Sequence, residues 1–450
     1  MVPVRLLRWV VPALLGSAPL SLSQVPPAAQ PPATQPVPPA ATAAEVPPKP
    51  PVPIKWPTEV SGRKLSEWIA DLSSSRNLDP SLRDAAVKTI PMFGPDGRKL
   101  GLAGLCNVIK TDPDPGVRVN AILVVGGMGF ETKEEMRQAT SAIAEVLKLT
   151  INGSMIRLHA TRTLASFGPE AATIDVIGGV LTMATDPAWE TRQGVAAALG
   201  RLGATLYDDK TPAPGKPVEI KRHASKAAMD KLAFTMIRDP SAVVRMEAVQ
   251  SLLVLGPPHE ENPTKYVALV KPYLDAVTLR LKDAKDKGET DNGVRIWLML
   301  INMMYDDRTF DALVPKIGYY INAVEVAVRV HALNALAIIG PRAQGAASEI
   351  RSALAQKEPL VIVAAAECLV AMGDAGKYAL PDLERLKTET EARLAMKRGL
   401  PGTPNEFVEK KAEADDKLLK KAIENAIKII TEAKKPEAKK EEPKKEPGKN

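Results

Sequence analysis

Few side chains in this chain are able to carry chemistry, and their spacing is the first clue. There are four histidines, His159, His223, His259 and His331. None forms the H-x-x-x-H or H-E-x-x-H pair that sets two groups on one helical face around a metal. One His-Glu pair, His259-Glu260, lies in the proline-rich stretch PPHEENPT. The glycine cluster GGMG lacks the Gly-Lys-Ser/Thr of a phosphate loop, and no nucleophile elbow, zinc spacing or dinucleotide fingerprint occurs. No catalytic residue, cofactor or metal site is therefore expected.

What does recur is arginine, with aspartate shortly before it. An arginine is followed eleven residues later by glycine at Arg83–Gly94, Arg118–Gly129, Arg157–Gly168, Arg192–Gly203, Arg245–Gly256 and Arg329–Gly340. Two further copies are incomplete: Arg295 has Asp306 in place of the glycine, and Gly373 has Ile362 in place of the arginine. Successive positions are 35, 39, 35, 53, 50, 34 and 33 residues apart. One active site has no use for so many copies of one arginine. The chemistry available to it is structural: charge-assisted, two-pronged hydrogen bonding to a carboxylate.

A period near 35 residues is that of stacked helical hairpins. The copy DPSAVVRMEAVQSLLVLGP, Asp239 to Pro257, illustrates the unit. Asp-Pro opens a helix. Ala248, Val249, Leu252 and Leu255 share one face. Gly256 suits a left-handed C-cap, and Pro257 prevents continuation. A second amphipathic segment precedes each copy, so each unit is a helical pair whose apolar face must be buried on its neighbours.

The turn aspartate, the Val-Arg-x-x-Ala core and the Leu-Gly-Pro ending resemble the HEAT-repeat family, which also includes bilin-lyase-type repeats. The resemblance implies an all-α fold, an α-solenoid of antiparallel hairpins, with about eight repeats over residues 61–400. It implies that the second helix of each pair lines the concave side. It also implies a ladder of Arg118, Arg192 and Arg245 beside Asp112, Asp114, Asp186 and Asp239. One branch of the family comprises metal-dependent hydroxylases with several His-Glu pairs; this chain has one. In such a stack Cys106 and Cys368 lie roughly 50–60 Å apart. A disulfide needs Cα atoms within about 7 Å, so each cysteine is expected to be a small buried hydrophobe.

Composition agrees with packed helices, since only 4% of residues are aromatic. The net charge of +7 is spread out: residues 1–60 and 404–450 each contribute +2, and no basic stripe is left for nucleic acid. Residues 1–23 read as a secretory signal peptide, with Arg5 and Arg8, an apolar run from Trp9 to Gly16, and Ser21 and Ser23 before Gln24. That run is too short to span a bilayer, so an exported chain without a transmembrane span is expected. Residues 24–60 form a proline-rich linker, with thirteen prolines between Val25 and Pro57. Residues 401–433 are expected to be a capping helix, and residues 434–450 a Lys/Glu/Pro tail of disordered composition. Two long insertions, LYDDKTPAPGKPVEIKRH and KDAKDKGETDNG, interrupt the rhythm.

The remaining candidate is a surface. If residues three, four, seven and ten after each arginine face the core, residues two, five and nine face outward. That stripe includes His159, Arg162, Arg201, Trp297, Leu300, Met304, His331 and Asn334. Tryptophan and arginine are enriched in binding hot spots. The leading reading is an exported, non-enzymatic scaffold presenting a concave helical surface to protein partners. The alternative is a structural component of the cell envelope acting through its linker and charged tail. An enzyme or lyase accessory comes third.

Overall fold

The computed structural model describes residues 55–76, 78–149, 153–206, 222–258, 260, 262–282, 288–395 and 406–433. The expected signal segment 1–23, most of the expected linker 24–60, the tail 434–450, His259 and the middle of the first insertion lie outside the described residues. The chain divides into two compact units, residues 1–135 and 136–450.

The first unit opens with a two-residue antiparallel ladder, β1 (Glu59–Val60) on β2 (Arg63–Lys64), turned by Ser61 and Gly62 at positive φ. This ladder begins inside the stretch expected to be linker. The Trp68 indole, itself buried, fastens it by donating to the Val60 carbonyl at 3.3 Å. Four helices follow: α1 (Leu65–Asp71), α2 (Pro80–Thr89), α3 (Pro95–Thr111) and α4 (Pro115–Gly127). Asp79 and Asp114 cap α2 and α4, each accepting from the backbone N–H two residues on, with proline at the first helical position. Helix α2 packs on α4, and α3 packs on α4 as its hairpin partner.

A helix spanning the boundary, α5 (Lys133–Leu147), leads into the second unit. There the hairpins run α6 (Ser154–Phe167), α7 (Ile174–Thr182), α8 (Trp189–Leu202), α9 (Lys226–Arg238), α10 (Ala242–Leu255), α11 (Pro263–Leu281), α12 (Asn292–Tyr305), α13 (Phe310–Tyr319), α14 (Val326–Ile339), α15 (Ala347–Ala353), α16 (Pro359–Met372), α17 (Leu380–Ala395) and α18 (Glu406–Glu432). Every even-numbered helix up to α16 carries a repeat position from Arg83 to Ile362. From α6 to α18 the even helices pack one on the next, forming a layer of their own, and the odd helices form the second layer. Each unit is therefore a stack of helical pairs, and the fold is an α-solenoid of HEAT-like type.

The repeat positions fill the core as the spacing requires. In α10, Ala248, Val249 and Leu252 are buried, while Leu255 at the last turn is half-exposed. Small residues let the even helices approach. A Cβ on Gly194 would lie 2.6 Å from the Thr161 hydroxyl, and one on Gly200 would lie 2.5 Å from Ser251. Cys106 and Cys368 are both buried free thiols, and burial pushes the Cys106 thiol up to about 11. The apolar stretch Pro359–Ala395 meets a length-and-composition test for a membrane span. It is a hairpin, α16 and α17, broken by Gly373 at φ 58°, with Val361, Ala365, Cys368 and Leu369 buried against protein. The last helix, α18, pairs with α17 and also packs on α16. It buries Leu419, Ile423, Ala426 and Ile430, so it closes the stack as a ninth pair.

The repeat glycines divide into two kinds. Gly94, Gly129, Gly168, Gly256, Gly340 and Gly373 have φ between 58° and 75°, the positive-φ region that glycine enters without a Cβ penalty and at which these helices end. Gly203 does not: its φ is −69°. The chain continues from it into β3 (Ala204–Leu206), which pairs antiparallel with β4 (Arg222–Ala224) in the register Ala204↔Ala224 and Leu206↔Arg222. The first insertion therefore begins and ends as a β-ladder rather than a plain loop. Gly203 is needed for space: a Cβ there would press on the Leu199 carbonyl and stand 2.8 Å from the Ala228 Cβ. These differences predict outcomes with unlike causes. Gly256→Ala loses about 1–3 kcal/mol through its positive-φ, extended backbone. Gly203→Ala loses about 1–3 kcal/mol through overpacking despite an ordinary φ. Gly127→Ala, at a helical site with nothing within 4 Å, is neutral or gains up to about 1 kcal/mol. Urea midpoints of the three variants check that the first two fall and the third does not.

Candidate functional site

Several of the repeat arginines are joined to carboxylates, each to one in the turn of the repeat that follows. Arg83 donates from Nε and Nη2 to both oxygens of Asp112 at 2.7 and 2.9 Å. Arg157 reaches Asp186, and Arg192 grips Asp239 at 2.7 and 3.1 Å. Arg245 grips Glu289 at 2.7 Å on both prongs, and Arg329 reaches Glu358 and the Gln356 side chain. The third guanidinium nitrogen usually stays at home. Arg192 Nη1 donates to the Asp186 and Pro187 carbonyls of its own turn, and Arg245 Nη1 donates to those of Asp239 and Pro240. The receiving carboxylate is itself shaped by its turn: Asp112, Asp186 and Asp239 each accept the backbone N–H two residues on, at 2.8–2.9 Å. Each joint thus ties the turn of one repeat to the arginine of the repeat before it. Asp114 stands outside the ladder, since its side chain caps α4 through Gly116 and Val117. Arg118 Nε donates to the Ile109 carbonyl of its own hairpin.

The member missed from sequence is Glu289, which lies in the second insertion. Its side chain is fully buried and takes hydrogen bonds from Arg245, Arg280 and the backbone N–H groups of Thr290 and Asp291. Burial alone would raise its pKa; the arginines and the Asp291 N–H outweigh burial and hold it at about 2. A signal for it was present in the chain. Glu289 precedes Arg295 by six residues, as Asp112, Asp186 and Asp239 precede Arg118, Arg192 and Arg245. The same position holds Gln356 before Ile362, but Ile151 before Arg157 and Ala323 before Arg329.

The expected surface separates into two parts. Trp297 is 3% exposed and Leu300 1% exposed, so neither can anchor a partner. Helix α12 is apolar on every side: Ile296, Leu298, Met299, Ile301 and Met303 are buried as well, enclosed by α10, α11 and α14. The Trp297 N–H donates to His331 Nδ1 at 3.2 Å, and the rings meet edge to face. Met304, His331 and Asn334 are half-buried.

The other part is open. Arg162 of α6 is exposed, and His159 of α6 and Arg201 of α8 are half-buried. They share a face with Gln193 of α8 and Glu247 of α10, whose side chains are joined at 3.2 Å. Burial raises the Glu247 carboxyl, and Gln193, Arg201 and Arg162 oppose that rise. Burial, then the neighbouring Arg162, lowers His159. Among the described residues neither Arg162 nor Arg201 makes an ion pair, and no group of three His, Cys, Asp or Glu side chains is placed to hold a metal.

No family model matches this chain, and no curated protein matches it. Solved structures that resemble it include an engineered protein, at 14% identity and a TM-score of 0.39, covering 82% of this chain and 99% of that one. A mutant of Kap121p matches at 14% identity and a TM-score of 0.47, covering 81% of this chain and 37% of its own. Kap121p bound to Nup53p matches at 12% identity and a TM-score of 0.42, covering 82% and 37%. At these scores the assignment of the fold rests on the helical pairs themselves.

The ladder makes a pH-dependent prediction. Because the Glu289 carboxyl is held below its unfolded value, its contribution to stability is complete above pH of about 4.5 and is lost as pH falls toward about 2. Glu289→Ala, which strands Arg245 and Arg280, is expected to cost about 3–5 kcal/mol. Denaturant midpoints at neutral pH and at about pH 3 check both statements, and the variant should show the smaller acid dependence.

Proposed function

We propose that this chain is a non-enzymatic, exported binding scaffold, and that the exposed face of α6, α8 and α10 receives a carboxylate-bearing segment of a protein partner. The observation that carries this reading is the contrast between two sets of arginines on the same helices. Arg157, Arg192 and Arg245 are spent inside the stack on acidic partners. Arg162 and Arg201 lie on the open face without an ion pair among the described residues. Guanidinium groups with free donors match carboxylates in geometry, and arginine is a frequent hot-spot residue. Export rests on the N-terminal signal pattern of the sequence, and the solenoid supplies a rigid frame on which adjacent helices hold the two side chains.

The test is capture from native extract with the full chain, a variant carrying Arg162→Glu and Arg201→Glu, and a variant lacking residues 434–450. Charge reversal should abolish capture of the partner while leaving the denaturation midpoint within about 0.5 kcal/mol, and removal of the tail should leave capture intact. Capture that survives charge reversal but disappears with the tail would reject this face in favour of the terminal segment. The bound fraction should also fall with rising salt, since the exposed charges are screened.

A further inference from the structure

Among the joints of the second unit whose first helix carries a repeat arginine, the one from α12 to α14 lacks the ion pair to the next repeat that the described residues show at the others; α16, with Ile362, has no arginine to give. The acid position of the following repeat is Ala323. Arg295 accordingly turns back onto the Leu281, Lys282 and Glu289 carbonyls of its own hairpin. Across this same joint, between α12 and α14, lies the hydrogen bond from Trp297 Nε1 to His331 Nδ1.

We propose that this Trp297–His331 bond replaces the arginine–carboxylate bond at the α12–α14 joint and makes that joint an acid-sensitive hinge in the stack. The argument is one of donors and acceptors. An indole N–H can only donate, so Nδ1 of His331 must present its lone pair. The imidazole is therefore neutral, with its proton on Nε2. Protonation at Nδ1 would set one N–H against another and break the only side-chain hydrogen bond that the described residues place between the two helices. The joint is also close-packed around the ring: a Cβ on Gly293 would lie 3.2 Å from the His331 ring and 2.9 Å from Met246. The ring therefore has little room to move to another partner.

The surrounding charges leave the neutral form favoured. Burial lowers the His331 pKa, and Asp291 at the start of α12 partly opposes that. The other ionisable groups on the neighbouring elements are Arg245 and Glu247 of α10, Arg295 and Tyr305 of α12, Asp311, Lys316 and Tyr319 of α13, Tyr320 just after it, Glu325 before α14, Arg342 after α14, and Glu358, Glu367 and Cys368 of α16. Arg329, on α14 itself, is held by Gln356 and Glu358. Asp291 is the charge that opposes burial at His331. The unfolded chain then binds more protons than the folded one as pH falls through the ordinary imidazole value of about 6.5, so stability is level above that pH and declines below it. The Glu289 joint, by contrast, holds until its carboxyl is protonated, toward about pH 2.

The test follows the Trp297 indole N–H resonance in the full chain, assigned by its loss in Trp297→Phe, from about pH 7.5 to 5. The resonance should move with a midpoint below about 6.5, and the denaturation midpoint should fall over the same interval. In His331→Gln, whose amide oxygen still accepts but does not titrate, the resonance should stay fixed and this part of the acid sensitivity should vanish. If that variant does not fold, Trp297→Phe serves instead: with the donor gone, the His331 titration should shift upward toward the ordinary value. An indole resonance indifferent to pH, a His331 midpoint at or above about 6.5, or a His331 titration unchanged by Trp297→Phe overturns the proposal.

Discussion

The arginine–carboxylate bond between one repeat and the next is the constraint on which the rest of this structure depends. Buried ion pairs are costly to desolvate, and a hydrophobic replacement is often as stable. What an ion pair supplies is register. Arg192 can reach both oxygens of Asp239 only if α8 and the turn before α10 are correctly placed. The same carboxylate fixes the local turn by accepting the Ser241 N–H. The two-pronged joints fix that placement, so the outward residues of successive even helices keep fixed neighbours.

Much of this was legible in the sequence, because a period near 35 residues and the interval from arginine to glycine specify helical pairs directly. The ladder was legible only in part. The arginines and the turn aspartates were evident, but not which arginine reaches which aspartate. A guanidinium at the end of a long side chain spans to the adjacent layer while its third nitrogen satisfies the turn beneath it. Glu289 was obscured because the insertion around it looked like a loop, although its six-residue spacing from Arg295 matches that of the aspartates. Gly203 looked like a helix-ending glycine, yet its role is steric, and the local pattern does not distinguish the two. Trp297 was misplaced for a more general reason. The outward rule assumes a helix with one free face, whereas IWLMLINMM is apolar all round, which is the mark of an enclosed helix.

Function follows from what the stack leaves unspent. The thiols are buried, and the inner arginines are committed to carboxylates or, at Arg118 and Arg295, to backbone carbonyls. The half-buried histidine at the α12–α14 joint is committed to a tryptophan. On the polar face of α6, α8 and α10, Arg162 and Arg201 make no ion pair among the described residues. A scaffold of this kind needs little chemistry of its own: it needs rigid spacing, and the joints provide it.

The direct measurement of that claim is a double-mutant cycle across one joint, with Arg192→Ala, Asp239→Ala and the pair together, read as free energies of unfolding in denaturant. Coupling through the joint predicts an interaction energy of at least about 1 kcal/mol, with the double variant losing clearly less than the two single losses combined. Additivity within about 0.5 kcal/mol would mean that the two side chains act independently, and would contradict the view that these bonds hold the repeats in register.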